Sequence, residues 1–282
     1  MIGVTVQCRL GNQLFQYAFA KAQAKKFNTS FFLNESLEKF TAAEYFYLKG
    51  FNRYNNLFNK IRFKFSKKNL TQKIQNVSFD SFEDPAIVMS KLGNDKSYGG
   101  YFQSARYFEN IDHDIRNHIR VKDKYVAEFD SKYKELFASN KIIAIHFRRT
   151  DYLDLGPWWE ENLGSGDLTL NQVYYEDCLK NIPDYQSYRI VIVGDDLTDT
   201  SLNTSGFKNA IFTANSPIID FQIMMNADIC IISNSSFAWW AAYLNSNPAK
   251  KIFCPNYWLG FKIKKEYPHS MIPKTWTKIN IN

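Results

Sequence analysis

The run Ile142-Ile143-Ala144-Ile145-His146-Phe147-Arg148-Arg149-Thr150-Asp151 decides how the chain is read. Its first half is continuously apolar, the pattern of a strand buried on both faces of a parallel sheet. It then ends in an imidazole, two guanidiniums and a carboxylate. In open α/β sheets the carboxyl ends of strands face the ligand crevice, so chemistry belongs there. Two adjacent arginines cost desolvation energy unless an anion neutralises them. The planar guanidinium fork matches phosphate, which points to a phosphate-bearing ligand. The plainer reading is that one arginine pairs with Asp151 and pins the strand end. That reading fits Arg149 better than Arg148.

Beyond Asn140 the rhythm is regular. Apolar strands are expected at 142–147, 189–193, 210–213, 228–233 and 251–254, with helices at 171–182, 218–227 and 236–246 between them. Such alternation predicts a doubly wound parallel sheet, hence an α/β fold. Two more expected strand ends carry polar groups. One runs into Gly194-Asp195-Asp196, the other into Ser233-Asn234-Ser235-Ser236-Phe237. Small hydroxyl residues at a helix start cap the helix or donate to phosphate, and both readings stay open. Asp220 opens a helix, where a carboxylate can accept two N–H groups of guanine or cap the helix.

The first half also begins as strand, turn and helix. Residues 2–8 alternate, Arg9-Leu10-Gly11-Asn12-Gln13 turn, and from Leu14 the apolar spacing is helical. Gly11 allows close backbone approach, and Asn12 and Gln13 add neutral donors that could reach a ligand. Ser30 to Asn34 reads as a second strand, and Tyr98-Gly99-Gly100-Tyr101-Phe102-Gln103-Ser104 as a loop approaching a cleft. Helices are expected over 105–119 and 126–138. The boundaries drawn from these patterns are an N-terminal domain at 1–138 and a C-terminal domain at 139–255. A tail at 256–282 is expected to pack back on the first.

Bulk properties narrow the class. The 282 residues are 45% hydrophobic and 22% charged, as in globular proteins, with 24 Phe, 17 Tyr and 6 Trp. Net charge is +7, which suits an acidic ligand, an anionic membrane or nucleic acid. No nucleic-acid motif accompanies it. From Arg53 to Lys73 there are seven basic residues and no acidic one, with Leu57, Phe58, Ile61 and Phe65 near helical spacing. Two readings of 53–73 stay open: contact with an anionic membrane, or a helix whose apolar side packs on its own domain. The four cysteines are dispersed without a CxxC pair, and Cys230 and Cys254 sit in apolar strand-like runs, which suggests buried free thiols in a reducing compartment. With no signal-peptide pattern and no spanning run, a cytoplasmic protein is expected, at most peripheral to the inner face of the membrane. No metal-ligand spacing is visible, so no metal or other cofactor is expected.

Four blocks together carry a resemblance. They are Arg9-Leu10-Gly11-Asn12-Gln13-Leu14-Phe15-Gln16-Tyr17-Ala18, Gly100-Tyr101-Phe102-Gln103-Ser104, His146-Phe147-Arg148-Arg149-Thr150-Asp151-Tyr152 and Ser235-Ser236-Phe237-Ala238-Trp239-Trp240-Ala241-Ala242. In this order they resemble the bacterial α-1,2-fucosyltransferases of glycosyltransferase family 11. The resemblance implies two facing Rossmann-like domains of the GT-B type, the C-terminal one binding GDP-L-fucose. It also implies inversion at the anomeric carbon, no metal, and a galactose-terminated oligosaccharide or lipid-linked glycan as acceptor. In that scheme Arg148 holds the β-phosphate, and His146 and Asp220 approach guanine. Ser235, Ser236 and Phe237 line the nucleotide site, and Gly11 and Asn12 close the cleft from the first domain.

The chain departs from relatives with Gly-Gly-Leu-Gly-Asn-Gln by placing Cys8-Arg9 before Leu10. It also has Gly156 where some carry a glutamate. The insert Trp158-Trp159-Glu160-Glu161 reads as an acceptor-stacking surface or as an ordinary anchor. Arg148, Asn12 and Asp151 are the candidates for the catalytic step, although Asp151 is better placed to orient an arginine than to act as a base. Asp195 is added to the nucleotide contacts from its strand end. A fucosyltransferase of other regiochemistry and a non-catalytic nucleotide- or glycan-binding protein are the competing readings.

Overall fold

The computed structural model describes residues 1–35, 39–66, 76–195, 207, 210–213 and 215–281. The chain divides into two compact units. The first is Met1–Lys122 with Pro268–Met271, and the second is Asp123–Tyr267 with Ile272–Asn282.

Unit 1 runs β1 (Ile2–Val6), α1 (Leu10–Lys26), β2 (Phe31–Glu35), α2 (Ala42–Tyr45), β3 (Phe46–Leu48) and α3 (Arg53–Ser66). It continues with β4 (Asn76–Ser78), α4 (Pro85–Ser90), β5 (Lys96–Gly99), α5 (Asp112–His118) and β6 (Ile119–Val121). Its main sheet is parallel, in the order β2-β1-β5-β4, and β3 and β6 form a separate antiparallel pair. Helix α1 covers this sheet with Leu14, Phe15, Ala18, Phe19 and Ala22, all buried. The expected helix over 105–119 is α-helical only in its second half, as α5; two 3₁₀ turns, at Ala105–Tyr107 and Glu109–Ile111, precede it.

Unit 2 runs α6 (Asp123–Ser139), β7 (Ile142–Phe147), α7 (Pro157–Leu163), α8 (Gln172–Lys180), β8 (Arg189–Gly194) and β9 (Ile211–Phe212). Then come α9 (Pro217–Asn226), β10 (Ile229–Ile231), α10 (Ser236–Leu244), β11 (Lys251–Pro255) and β12 (Thr277–Ile279). The sheet is parallel throughout, ordered β12-β11-β10-β7-β8-β9. All six residues of β7 are buried, as its unbroken apolar run predicts. Each fully buried isoleucine there contributes roughly 1.5–3 kcal/mol, which offsets the cost of a polar cluster at the strand end. Helix α10 is apolar all round and correspondingly buried, with Trp239 and Trp240 fully enclosed.

Two boundaries differ from the sequence expectation. The division falls at 122/123 rather than 138/139, because α6 packs on α9. Gln222 Nε2 donates to the Tyr125 carbonyl (2.9 Å) and Asn215 Nδ2 to Tyr133 Oη (2.8 Å). The tail does not return to the first unit as a whole. Only residues 268–271 lie there, held by Ser104 Oγ on the Ser270 carbonyl and by the His269 amide on the Ser81 carbonyl. The rest completes unit 2, with β12 beside β11 and Trp276 against Trp239. Among the described residues no helix is long and apolar enough to cross a membrane.

Candidate functional site

From β7 the chain of unit 2 moves to β8 and β9 on one side, then crosses back to β10 and β11 on the other. Strand β7 is therefore the topological switch point, where an open α/β sheet leaves a crevice at its carboxyl edge. Two polar side chains meet there. His146, next to last in β7, places Nδ1 2.8 Å from Ser233 Oγ, just beyond β10. The imidazole is buried and its pKa is pushed down to about 3, by burial first and then by the Arg148 charge. It is a neutral hydrogen-bonding group at physiological pH. The Phe237 ring lies 5.7 Å from it, and 5.4 Å from Phe221 of α9.

Arg148 follows directly. Its Nη2 is 2.6 Å from Asp151 Oδ1 and its Nη1 2.8 Å from Asp195 Oδ2. The plainer reading, a pairing with Asp151, fits Arg149 better from the sequence, and it is Arg148 that makes such a pair. Two carboxylates also supply the neutralisation that the sequence reading gave to a bound anion. The physical reason is the register. Phe147 pairs with Gly194 across β7 and β8, which brings Asp195 level with Arg148. Asp195 is satisfied further by Thr150 Oγ1 (2.6 Å) and the Arg149 amide (2.9 Å). Burial pushes its pKa up, but these donors and Arg148 outweigh it, so the carboxyl titrates below its usual range. Arg148 Nε is buried without a hydrogen-bond partner among the described residues, and the guanidinium sits over the Tyr152 ring at 5.4 Å.

Asp220 lies in the first turn of α9 and is 7% exposed. It is not a helix cap: the cap position is Ser216, and the Asp220 carboxylate accepts from Asn215 Nδ2 at 3.1 Å. Burial pushes its pKa up to about 7. Ser235 caps α10 by backbone position with no side-chain cap hydrogen bond, which leaves Ser236 and Phe237 in the first turn, half-buried. The partners Ser233, Thr150, Tyr152 and Asn215 were not picked out as site residues. Ser233 stands within a hydroxyl-rich strand end and Thr150 and Tyr152 within the block that begins at His146, whereas Asn215 has no such signal. Among the described residues no group of three or more His, Cys, Asp or Glu could hold a metal ion; Asp196 lies outside them.

Unit 1 carries its own cluster at the carboxyl ends of β1 and β5, which are neighbours. The turn after β1 is made by Cys8, at φ 58°, not by Gly11. Gly11, Asn12 and Gln13 already lie in the first turn of α1. Gln13 is structural rather than a free donor: its Nε2 reaches the Cys8 and Lys39 carbonyls, and its Oε1 accepts from Thr41 Oγ1 and the Ala42 amide. Asn12 Oδ1 accepts from Gln103 Nε2, Gln16 Nε2 donates to the Gly100 carbonyl, and Cys8 Sγ meets Tyr101 Oη at 3.5 Å. Two of the four motif blocks are thereby laced together. Gly100 holds φ 148°, and a Cβ there would press on the Phe102 ring at 3.1 Å and the Phe79 carbonyl at 3.3 Å. Phe102 itself holds φ 52°, stacked on Phe19 at 3.7 Å. Left-handed non-glycine residues in both loops cost about 1–3 kcal/mol each, a strain that clusters at functional sites.

The insert Trp158-Trp159-Glu160-Glu161 lies within α7, with left-handed Gly164 at the helix end and Trp158 and Trp159 both near the Tyr267 ring. Asp151, the one carboxylate among the catalytic candidates, is engaged with Arg148. Asp154 closes a turn by accepting from the Gly156 amide at 3.0 Å.

A doubly wound parallel sheet with a neutral histidine and an ion-paired arginine at its switch point defines an open α/β protein, the class in which ligands bind at that crevice. The profile of glycosyl transferase family 11 matches residues 1–280, and the chain belongs to that family. It is 24% identical over 295 residues to an α-1,2-colitosyltransferase of Escherichia coli, with 96% of each chain covered. It is 29% identical over 132 residues to the O-antigen biosynthesis glycosyltransferase WbnK of Escherichia coli, covering 45% of this chain and 42% of that one. The fold is similar to that of fucosyltransferase NodZ from Bradyrhizobium, at 14% identity and a TM-score of 0.53, covering 85% of this chain and 91% of that one. NodZ, described as an α-1,6-fucosyltransferase, has also been solved after soaking with GDP-fucose.

Proposed function

We propose that this family 11 glycosyltransferase moves L-fucose from GDP-L-fucose to the 2-hydroxyl of a galactose in a bacterial surface-glycan precursor, in the cytoplasm, with inversion and without a metal. The observation that carries the reading is the pairing of His146 with Ser233 at the switch point beside Arg148. The acceptor oxygen forms a bond to the anomeric carbon as the bond to the GDP oxygen breaks, and negative charge grows on the β-phosphate. Arg148 is the donor for that charge. Asp151 and Asp195 hold its guanidinium in place in advance, and fixed donors of this kind are usually the largest single catalytic term. Because Asp151 is engaged with Arg148, the departing phosphate is the better acceptor for the hydroxyl proton. Asn12 is assigned to positioning the acceptor. Asp220 accepts the guanine N–H groups, and Ser235, Ser236 and Phe237 line the nucleotide.

A second reading, transfer of colitose from its GDP sugar, is favoured by the full-length relative described as an α-1,2-colitosyltransferase. Colitose lacks the 3-hydroxyl of fucose, so the two donors differ at a single ring position. The test is GDP release with each donor and a galactoside, followed by linkage analysis of the product. No acceptor-dependent GDP release with either donor would sink both readings, and an α-1,6 product would overturn the regiochemistry.

A further inference from the structure

Helix α3 turns its apolar side outward. At 3.6 residues per turn Tyr54, Leu57, Phe58, Ile61 and Phe65 fall within an arc of about 100°. All five are exposed, from 44% at Ile61 to 84% at Tyr54. The opposite side is fastened to β2, the edge strand of its sheet. Asn56 Nδ2 donates to the Leu33 carbonyl (2.9 Å) while its Oδ1 accepts from the Leu33 amide (2.7 Å), much as a neighbouring strand would. Asn59 Nδ2 donates to the Phe31 carbonyl (3.0 Å), and Phe63, 2% exposed, packs on Phe32. The anchoring is polar plus one phenylalanine, the reverse of a surface helix that buries its apolar stripe. The packed-helix reading of this stretch therefore fails for Leu57, Phe58, Ile61 and Phe65. Residues 67–73 of the stretch lie outside the described residues.

Charge follows the same geometry. Arg53, Lys60 and Lys64 flank the apolar arc on one side and Arg62 on the other, and no acidic residue occurs between Arg53 and Lys73. A cavity of about 590 Å³ opens beside the helix. Phe58 is in its wall together with Lys21, Lys25 and His118. Asp114, also in that wall, is paired with Lys25 at 2.8 Å.

We infer that α3 is a docking surface for an anionic lipid bilayer. Its apolar arc enters the boundary between headgroups and acyl chains, and its basic flanks lie on lipid phosphates. A second copy across a two-fold axis would set the same basic flanks against each other. Nucleic acid would use the cations and leave five large apolar side chains in water. The inference stands apart from the transferase reading, since lipid binding needs neither donor nor acceptor.

The experiment is sedimentation of the full chain with phosphatidylcholine vesicles, with and without phosphatidylserine. Binding is expected only with the anionic lipid and should weaken in high salt. Leu57→Glu with Phe58→Glu should abolish it. The triple variant Lys60→Gln, Arg62→Gln, Lys64→Gln should lower partitioning roughly 100-fold at low salt. All five positions are exposed or half-buried, and an unchanged melting temperature confirms that each variant folds. Absence of vesicle binding by the parent chain overturns the inference, as does equal binding by both variants. Self-association that Leu57→Glu with Phe58→Glu removes, in a chain that ignores vesicles, would assign the face to a second copy instead.

Discussion

Arg148 and Asp195 stand on neighbouring strand ends and pair at 2.8 Å, with both side chains largely withdrawn from water. The arginine is thus fixed by two carboxylates, Asp195 and Asp151. A guanidinium held in this way loses little orientational freedom on meeting a phosphate, and it cannot be replaced by a lysine of equal charge.

Arg148→Lys should lower kcat far more than it weakens GDP binding. Lysine keeps the charge but serves two carboxylates and a developing anion with one ammonium instead of a planar fork. The expected loss is about 10²–10³ in kcat, the value of one well-placed donor to a growing negative charge. Arg149→Lys should cost less, because Arg148 is the arginine assigned to the leaving phosphate and held by Asp151 and Asp195. Steady-state kinetics beside a GDP titration decide this, and a larger loss at Arg149 would reverse the assignment.

Asp195→Asn should destabilise the protein by about 2–3 kcal/mol at neutral pH, since Asp151 still balances Arg148 and limits the damage. The folded carboxyl titrates below its unfolded range. Its stabilisation is therefore complete above that unfolded range and is lost as pH falls through the folded value. Denaturant titrations of parent and variant should converge as the pH is lowered into the acid range. A constant gap at all pH values would mean that charge is not what Asp195 contributes.

Asp220 gives the opposite sign. Its folded pKa of about 7 lies above the ordinary carboxyl value. The unliganded protein therefore loses stability as pH rises from about 4 to about 7, by an order of 4 kcal/mol at most. Asp220→Asn should remove that slope and raise the apo melting temperature at pH 8. If the carboxylate accepts guanine N–H groups, GDP binding should release a proton near neutrality, and the variant should bind more weakly. Calorimetry in two buffers of different ionisation enthalpy measures the proton. Unchanged affinity in the variant would end the guanine assignment.

Turnover should persist in excess chelator. The positive charge that a metal would supply to the leaving diphosphate is proposed to come from Arg148. Activity lost to chelator and restored by magnesium or manganese would show the proposal to be wrong.

The sequence by itself determined the parallel sheet of unit 2, because a strand buried on both faces must be apolar throughout and Ile142–Phe147 is. It also marked the strand ends, since His146, Asp195 and Ser235 interrupt apolar runs at points where only a crevice tolerates polar groups. The inward side of α1 was legible for the same reason of period. What tertiary structure alone decided was partnership. Which side chain Asp195 meets depends on the β7–β8 register, and no spacing in the chain encodes how Phe147 aligns with Gly194. The turn at Cys8 was hidden because a left-handed cysteine has no compositional mark, whereas Gly11 nearby looked like one. Asp220 could be read as a cap or a ligand group until burial and Asn215 defined its surroundings. Helix α3 shows the limit most plainly. Its amphipathic period was visible, but a period does not state which side faces water, and here two asparagines and Phe63 took the inner side.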